Sequence, residues 1–172
     1  MLLVTPVVRG EAIAGWGDDE MRARRPAEAT RLYADAYAAV PWDAEYAFRA
    51  AKAAMTSGNP DAAKAWLDRA IATDPTAVEY YLTRASLELS RTPSPDAEGV
   101  RRDYTAALTL NPNDIRVRLA YADLLTRFGM RQEAREQYRV AMEKNEQYDV
   151  TEPKRLPKAE VERIKGIIRS LE

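Results

Sequence analysis

The sequence predicts an all-α fold, an α-solenoid of about four helix pairs closed by a C-terminal capping helix. Three observations predict it. A large residue, an alanine three places on and a proline five places further recur as Tyr33–Ala36–Pro41, Leu67–Ala70–Pro75 and Tyr104–Ala107–Pro112, at steps of 34 and then 37 residues. A period in this range marks a stacked helical array, in which each unit buries its apolar face only against its neighbours. Apolar residues recur at helical spacing throughout, with no strand alternation. Breakers separate those runs: Arg25-Pro26, Gly58-Asn59-Pro60, Pro93-Ser94-Pro95 and Gly129-Met130.

The first pair is expected over residues 7–23 and 26–39, with Pro26 opening its second helix. The second pair, 43–57 and 60–73, has Asn59 as N-cap and Pro60 at the first helical position, where a proline loses no helical hydrogen bond. The third pair, 77–91 and 95–110, uses Ser94 and Pro95 in the same way, after the stop at Asp74-Pro75-Thr76. The fourth, 114–128 and 131–144, follows Asn111-Pro112-Asn113-Asp114. These pairs make one domain over 1–172, with repeats at 10–43, 44–77, 78–114 and 115–146 and a polar connector at 147–156. A capping helix is then expected over 157–171, because Val161, Ile164, Ile168 and Leu171 form one apolar stripe opposite Lys158, Glu162, Arg163, Lys165 and Arg169.

Composition narrows the function classes. Hydrophobic content of 46% with 31% charge is that of a globular chain, and a net charge of −1 gives no global field toward nucleic acid or anionic lipid. The absence of cysteine and histidine removes disulfides, thiolate or imidazole metal ligands and Cys or His catalysis. No phosphate-cradling glycine loop or nucleophile elbow occurs. Asp18-Asp19-Glu20 reads as a solvated face, since three successive acids on a helix point in different directions. Lys154-Arg155-x-x-Lys158 is short and flanked by acids. The chain is therefore read as non-enzymatic, with no catalytic residue, metal or cofactor, and no nucleic acid partner.

At these residues the chain resembles the tetratricopeptide repeat family. Each unit supplies a small residue within its first helix (Gly17, Ala51, Ala85, Ala122), and most supply small residues in the second (Ala29 and Ala36, Ala63 and Ala70, Ala107, Ala134 and Ala141). A large residue stands between them (Tyr33, Leu67, Tyr104, Tyr138). The third unit departs with Val100 for an alanine and about three extra residues around Arg91–Pro95, and the fourth has Glu146 in place of the proline. Small residues let helices approach closely, and the large one fills the gap between layers. The resemblance implies a right-handed solenoid whose first helices line a concave groove.

In this sequence that groove is expected to present Phe48, Lys52 and Met55 from the second unit and Glu79, Leu82 and Ser86 from the third. Arg116, Leu119, Asp123 and Arg127 come from the fourth. Ala14, Phe48, Leu82 and Leu119 would form an apolar stripe on its floor, open to a helix or extended peptide or else filled by the chain's own segments. The carboxylate clamp by which some family members hold a chaperone C-terminus is missing, since Asp18, Lys52, Ser86 and Asp123 stand beside those apolar residues. Trp66 and Tyr81 are expected in the packing, and Trp42 over its turn.

The leading expectation is a scaffold that binds a protein or peptide. A second comes from 145–156, which is similar to the ends of repeat regions on bacterial membrane proteins of the O-antigen ligase and polymerase type. It implies a soluble appendage that positions partners for a glycan-assembly enzyme. The apolar opening Met1-Leu2-Leu3-Val4-Thr5-Pro6-Val7-Val8 is too short to span a bilayer and offers a route to a homodimer. As given, the chain is expected to be soluble, cytoplasmic by default or tethered through a membrane protein.

Overall fold

The computed structural model describes residues 5–91, 95–149 and 151–171, which form nine α-helices and no strand. In order these are α1 (Pro6–Arg22), α2 (Pro26–Ala39), α3 (Ala44–Thr56), α4 (Pro60–Thr73), α5 (Val78–Leu89), α6 (Ala97–Leu110), α7 (Ile115–Arg127), α8 (Arg131–Glu146) and α9 (Lys158–Ser170). The all-α repeat fold is the one expected, and every helix end lies within two residues of the periodic pattern.

Local chemistry sets these boundaries. The Asn59 side chain accepts from the Ala62 N–H at 3.1 Å, with Pro60 opening α4. Asp114 accepts from Val117 N–H at 3.0 Å and starts α7. Ser94 lies outside the described residues. Gly58 and Gly129 take φ of +75° in the turns after α3 and α7, where a left-handed residue reverses the chain. Arg24 holds the equivalent place after α1 with φ of 58°, a conformation that costs a side-chain-bearing residue about 1 kcal/mol.

One domain was expected over 1–172; the chain divides into two compact units, Met1–Asp96 and Ala97–Glu172. The division falls between Asp96 and Ala97, so α5 belongs to the first unit and α6 to the second. The third predicted repeat is thus shared between them.

In the first unit, α1, α3 and α5 form one layer and α2 and α4 the other. Arg49 of α3 reaches Asp18 of α1, and Phe48 of α3 stacks obliquely on Tyr80 of α5. Behind them, Tyr37 of α2 meets Trp66 of α4 edge-on and its hydroxyl lies 2.8 Å from that of Thr73. Alanines at 29, 36, 47, 50, 51, 53, 63 and 70 are wholly buried, and the helices close on one another around Tyr33, Phe48 and Leu67. The approach at Gly17 is so close that a Cβ there would stand 2.7 Å from the Tyr33 ring.

In the second unit, Leu119, Tyr121, Ala122 and Leu125 of α7 share a core with Ala134, Tyr138 and Ala141 of α8. Leu156, Ile164 and Leu171 complete it, so α9 lies against this core as the capping helix its apolar stripe predicts. Tyr104 of α6 stacks flat on Tyr121 at 5.3 Å. The connector is held by the Asn145 carboxamide, which accepts from Leu156 N–H at 2.7 Å, and by Tyr148, whose hydroxyl donates to the Asn113 carbonyl at 3.2 Å.

Candidate partner-binding faces

The first unit presents the outer side of α1, α3 and α5. Lys52, Glu79 and Ser86 are exposed there, and Met55 and Leu82 are half-buried. Phe48 is not on this surface: it is 1% exposed, its ring 4.7 Å from that of Tyr80 and covered by the Lys52 ammonium 4.3 Å from the ring centre. Arg49, which the sequence reading passed over, donates to Glu45 at 2.8 Å and reaches Asp18 at 3.4 Å.

The predicted residues of the second unit are largely engaged within it. Leu119 is 4% exposed. Arg116 pairs with both carboxylate oxygens of Glu160 on α9, at 3.0 and 2.9 Å, and Asp123 accepts the Tyr138 hydroxyl. Arg127 is exposed. The apolar stripe is consequently no open trough. Ala14, Phe48 and Leu119 are core, and only Leu82 is half-buried. Side chains on the inner flank of the first helices serve the packing between layers before they can serve a ligand, and in the second unit α9 closes over the same core as Leu119.

The three successive acids separate as helical geometry requires. Asp18 accepts from Tyr33 at 2.6 Å, Asp19 pairs with Arg22 at 2.6 Å, and Glu20 pairs with Arg25. Among the described residues no group of three or more carboxylates is placed to hold a metal ion. Trp66 packs as expected, between Tyr37 and the Arg69 guanidinium at 4.2 Å. Tyr81 is half-buried and donates to the Pro75 carbonyl at 3.0 Å. Trp42, in the turn before α3, is 66% exposed, and Trp16 is 59% exposed. Val7 and Val8 also stand exposed in the first turn of α1. Residues 1–4 of the apolar opening lie outside the described residues.

Two pairs recur at the same spacing: Tyr33 with Asp18, and Tyr138 with Asp123. Each joins the second helix of its pair to the first, and an aspartate fifteen places before the large residue was the available signal. Burial first, and the carboxylate second, push the Tyr138 phenol up to about 12 from its ordinary 10.0; Tyr33 is pushed up for the same reasons. A phenol raised in the folded state contributes stability that is complete below its unfolded value, near 10, and lost as pH climbs through the folded one. Tyr138→Phe is therefore expected to flatten the fall in urea midpoint between about pH 10 and 12. An unchanged alkaline slope would show that the phenol is not held by Asp123.

Residues 20–87 match the tetratricopeptide repeat family model. No curated protein sequence matches the chain. Among solved structures, a crystal structure of MamA is 21% identical with a TM-score of 0.67, over 80% of this chain and 78% of that one. A second MamA crystal structure gives 20% identity and a TM-score of 0.69, over 86% and 79%. The first TPR of Spaghetti (RPAP3), bound to the HSP90 peptide SRMEEVD, gives 16% and 0.61, over 72% and 95%. These likenesses establish a tetratricopeptide-type fold. The family match ends at residue 87 and lends nothing to the O-antigen ligase likeness at 145–156, whose residues fasten the connector. Among the described residues no helix is long and apolar enough to cross a membrane.

Proposed function

We propose that this chain, whose fold is that of tetratricopeptide repeats, is a scaffold that binds a polypeptide on the α1, α3 and α5 face of its first unit. Folds of this type are typically protein–protein interaction modules. The observation that carries the reading is the composition of that face. Lys52, Glu79 and Ser86 are exposed around half-buried Met55 and Leu82, with a floor made rigid by Phe48 and Tyr80 beneath. A fixed apolar floor under separated charges orients a ligand at little ordering cost. Affinity then comes from Met55 and Leu82, and register from Lys52 and Glu79; Phe48 and Leu119 contribute only through packing. The peptide named for the Spaghetti neighbour is not carried over, because the clamp residues are missing.

The test is selection of peptides from a random library on the wild-type chain, followed by affinity measurement on a variant carrying Lys52→Glu and Ser86→Glu. Selected peptides are expected to lose about tenfold in affinity for the variant, through reversed charge at the contact. Equal affinity for both proteins would remove this face from the function. The exposed Val7, Val8 and Trp16 support self-association through the N-terminal end, which the mass of the same sample by light scattering reports.

A further inference from the structure

The outer face of α1 and α2 is an end of the stacked array in the first unit. One repeat later, the same face of α3 and α4 is covered. Ala50 is wholly buried in one core with Ala29, Tyr33 and Ala36, and Trp66 meets Tyr37 of α2 edge-on. The corresponding places in the first pair are held by Trp16 and Leu32. Among the described residues nothing stacks on them: Trp16 is 59% exposed and Leu32 is half-buried.

The sizes of these residues mark the end as a contact surface. Where a neighbouring pair is present the first-helix place is an alanine, because the helices close on one another there. An end left to water takes a polar outer face. The sequence instead sets an indole there, and Ile13 stands half-buried about one turn before it on α1. Trp16, Ile13 and Leu32 line a cleft of about 420 Å³ on α1 and α2.

Two charges border this cleft, Arg9 on α1 and Asp35 on α2. Both are exposed, and neither side chain has a hydrogen bond or ion pair among the described residues. Elsewhere along these helices opposite charges are paired: Asp19 with Arg22, Glu20 with Arg25 and Glu28 with Arg31. A rim with one free charge of each sign around an apolar centre is complementary to itself. A partner of single charge satisfies only half of it.

We propose that this face binds a second copy of the chain, the two α1–α2 pairs packing about a two-fold axis that runs along the cleft. The proposal rests on the self-association put forward for the N-terminal end and assigns it a face. Joined by a short turn, α1 and α2 run antiparallel. The axis lays each α1 antiparallel over the partner's α2, so Trp16 and Ile13 cover the partner's Leu32 and each Arg9 reaches toward the partner's Asp35. Burial of the indoles supplies affinity, and the two crossed charge pairs set the register. The contact uses none of Lys52, Met55, Leu82 or Ser86, so it stands or falls separately from the α3–α5 face.

Sedimentation equilibrium of the full chain tests it. The wild type is expected to reach twice the chain mass at about 100 μM, where a specific micromolar contact is filled. Trp16→Glu, at an exposed position, is expected to weaken association about tenfold or more with ellipticity unchanged. Arg9→Asp and Asp35→Arg are each expected to weaken it about threefold, and the double variant to recover the wild-type dimer, a recovery that damaged folding cannot imitate. Val7→Ser with Val8→Ser is expected to leave the dimer in place, since these valines stand outside the cleft. A monomeric wild type at that concentration would overturn this face and self-association together. A dimer that survives Trp16→Glu, or is lost through Val7 and Val8 instead, would keep self-association and overturn this face. Charge variants that leave association unchanged, or a double variant no better than the single ones, would overturn the two-fold pairing.

Discussion

Replacing Phe48 with alanine is expected to lower the stability of the first unit by about 3–4 kcal/mol, the cost of a large cavity in a close-packed core. The residue is 1% exposed, and its ring is enclosed by Tyr80, the Lys52 stem and the alanines of α3 and α4. Small neighbours on a rigid two-layer frame collapse poorly into a gap, so the cavity persists. Phe48→Glu goes further, because it puts a carboxylate into that apolar core, where the exposed Lys52 ammonium beside the ring offsets only part of the desolvation cost. Leu82→Glu, at a half-buried place, is expected to leave the unit folded. A sequence-based reading, with both residues in an open groove, expects the pair of changes to abolish binding while the array stays folded. Urea denaturation followed by ellipticity separates the two views. A Phe48→Ala midpoint equal to wild type would put the ring back on the surface.

The second large effect belongs to Ile164→Ala, which is expected to cost the second unit about 3 kcal/mol. Ile164 is wholly buried, in one core with Leu119, Leu125, Tyr138 and Leu156. Around it the hold on α9 is polar and partly exposed: Arg116 with Glu160, and Arg131 donating to the Ser170 carbonyl at 2.6 Å. Ion pairs of that exposure contribute at most about 1 kcal/mol, so docking of α9 depends on its apolar stripe. Amide exchange should show lost protection across α7, α8 and α9, with α1 to α4 unchanged. Protection retained throughout α9 in the variant would mean that the helix is fixed by something other than Ile164.

The helices were legible because their signals are local. Proline at the first position, an aspartate or asparagine cap and apolar residues at helical spacing act within a few residues of chain, and the boundaries follow them closely. Ile164 and Leu171 were legible for the same reason, since an amphipathic stripe states that it will be covered. The floor of the groove was not. Whether Phe48 faces a partner or Tyr80 depends on a contact between residues 32 places apart, and spacing within one helix cannot decide it. Arg24 shows another limit, because its positive φ is imposed by the repeat geometry and not by its own preference.

Every tryptophan of this chain, Trp16, Trp42 and Trp66, belongs to the first unit. The second unit has tyrosines and Phe128 but no indole. Indole emission is thus a private channel for the first unit, whereas far-ultraviolet ellipticity sums the helices of both. Trp16 and Trp42 face water already, which leaves Trp66, between Tyr37 and Arg69, as the fluorophore whose surroundings change on unfolding. The chain carries a built-in optical contrast between its two halves, and the overlap or separation of the two melting curves counts its cooperative blocks without any label.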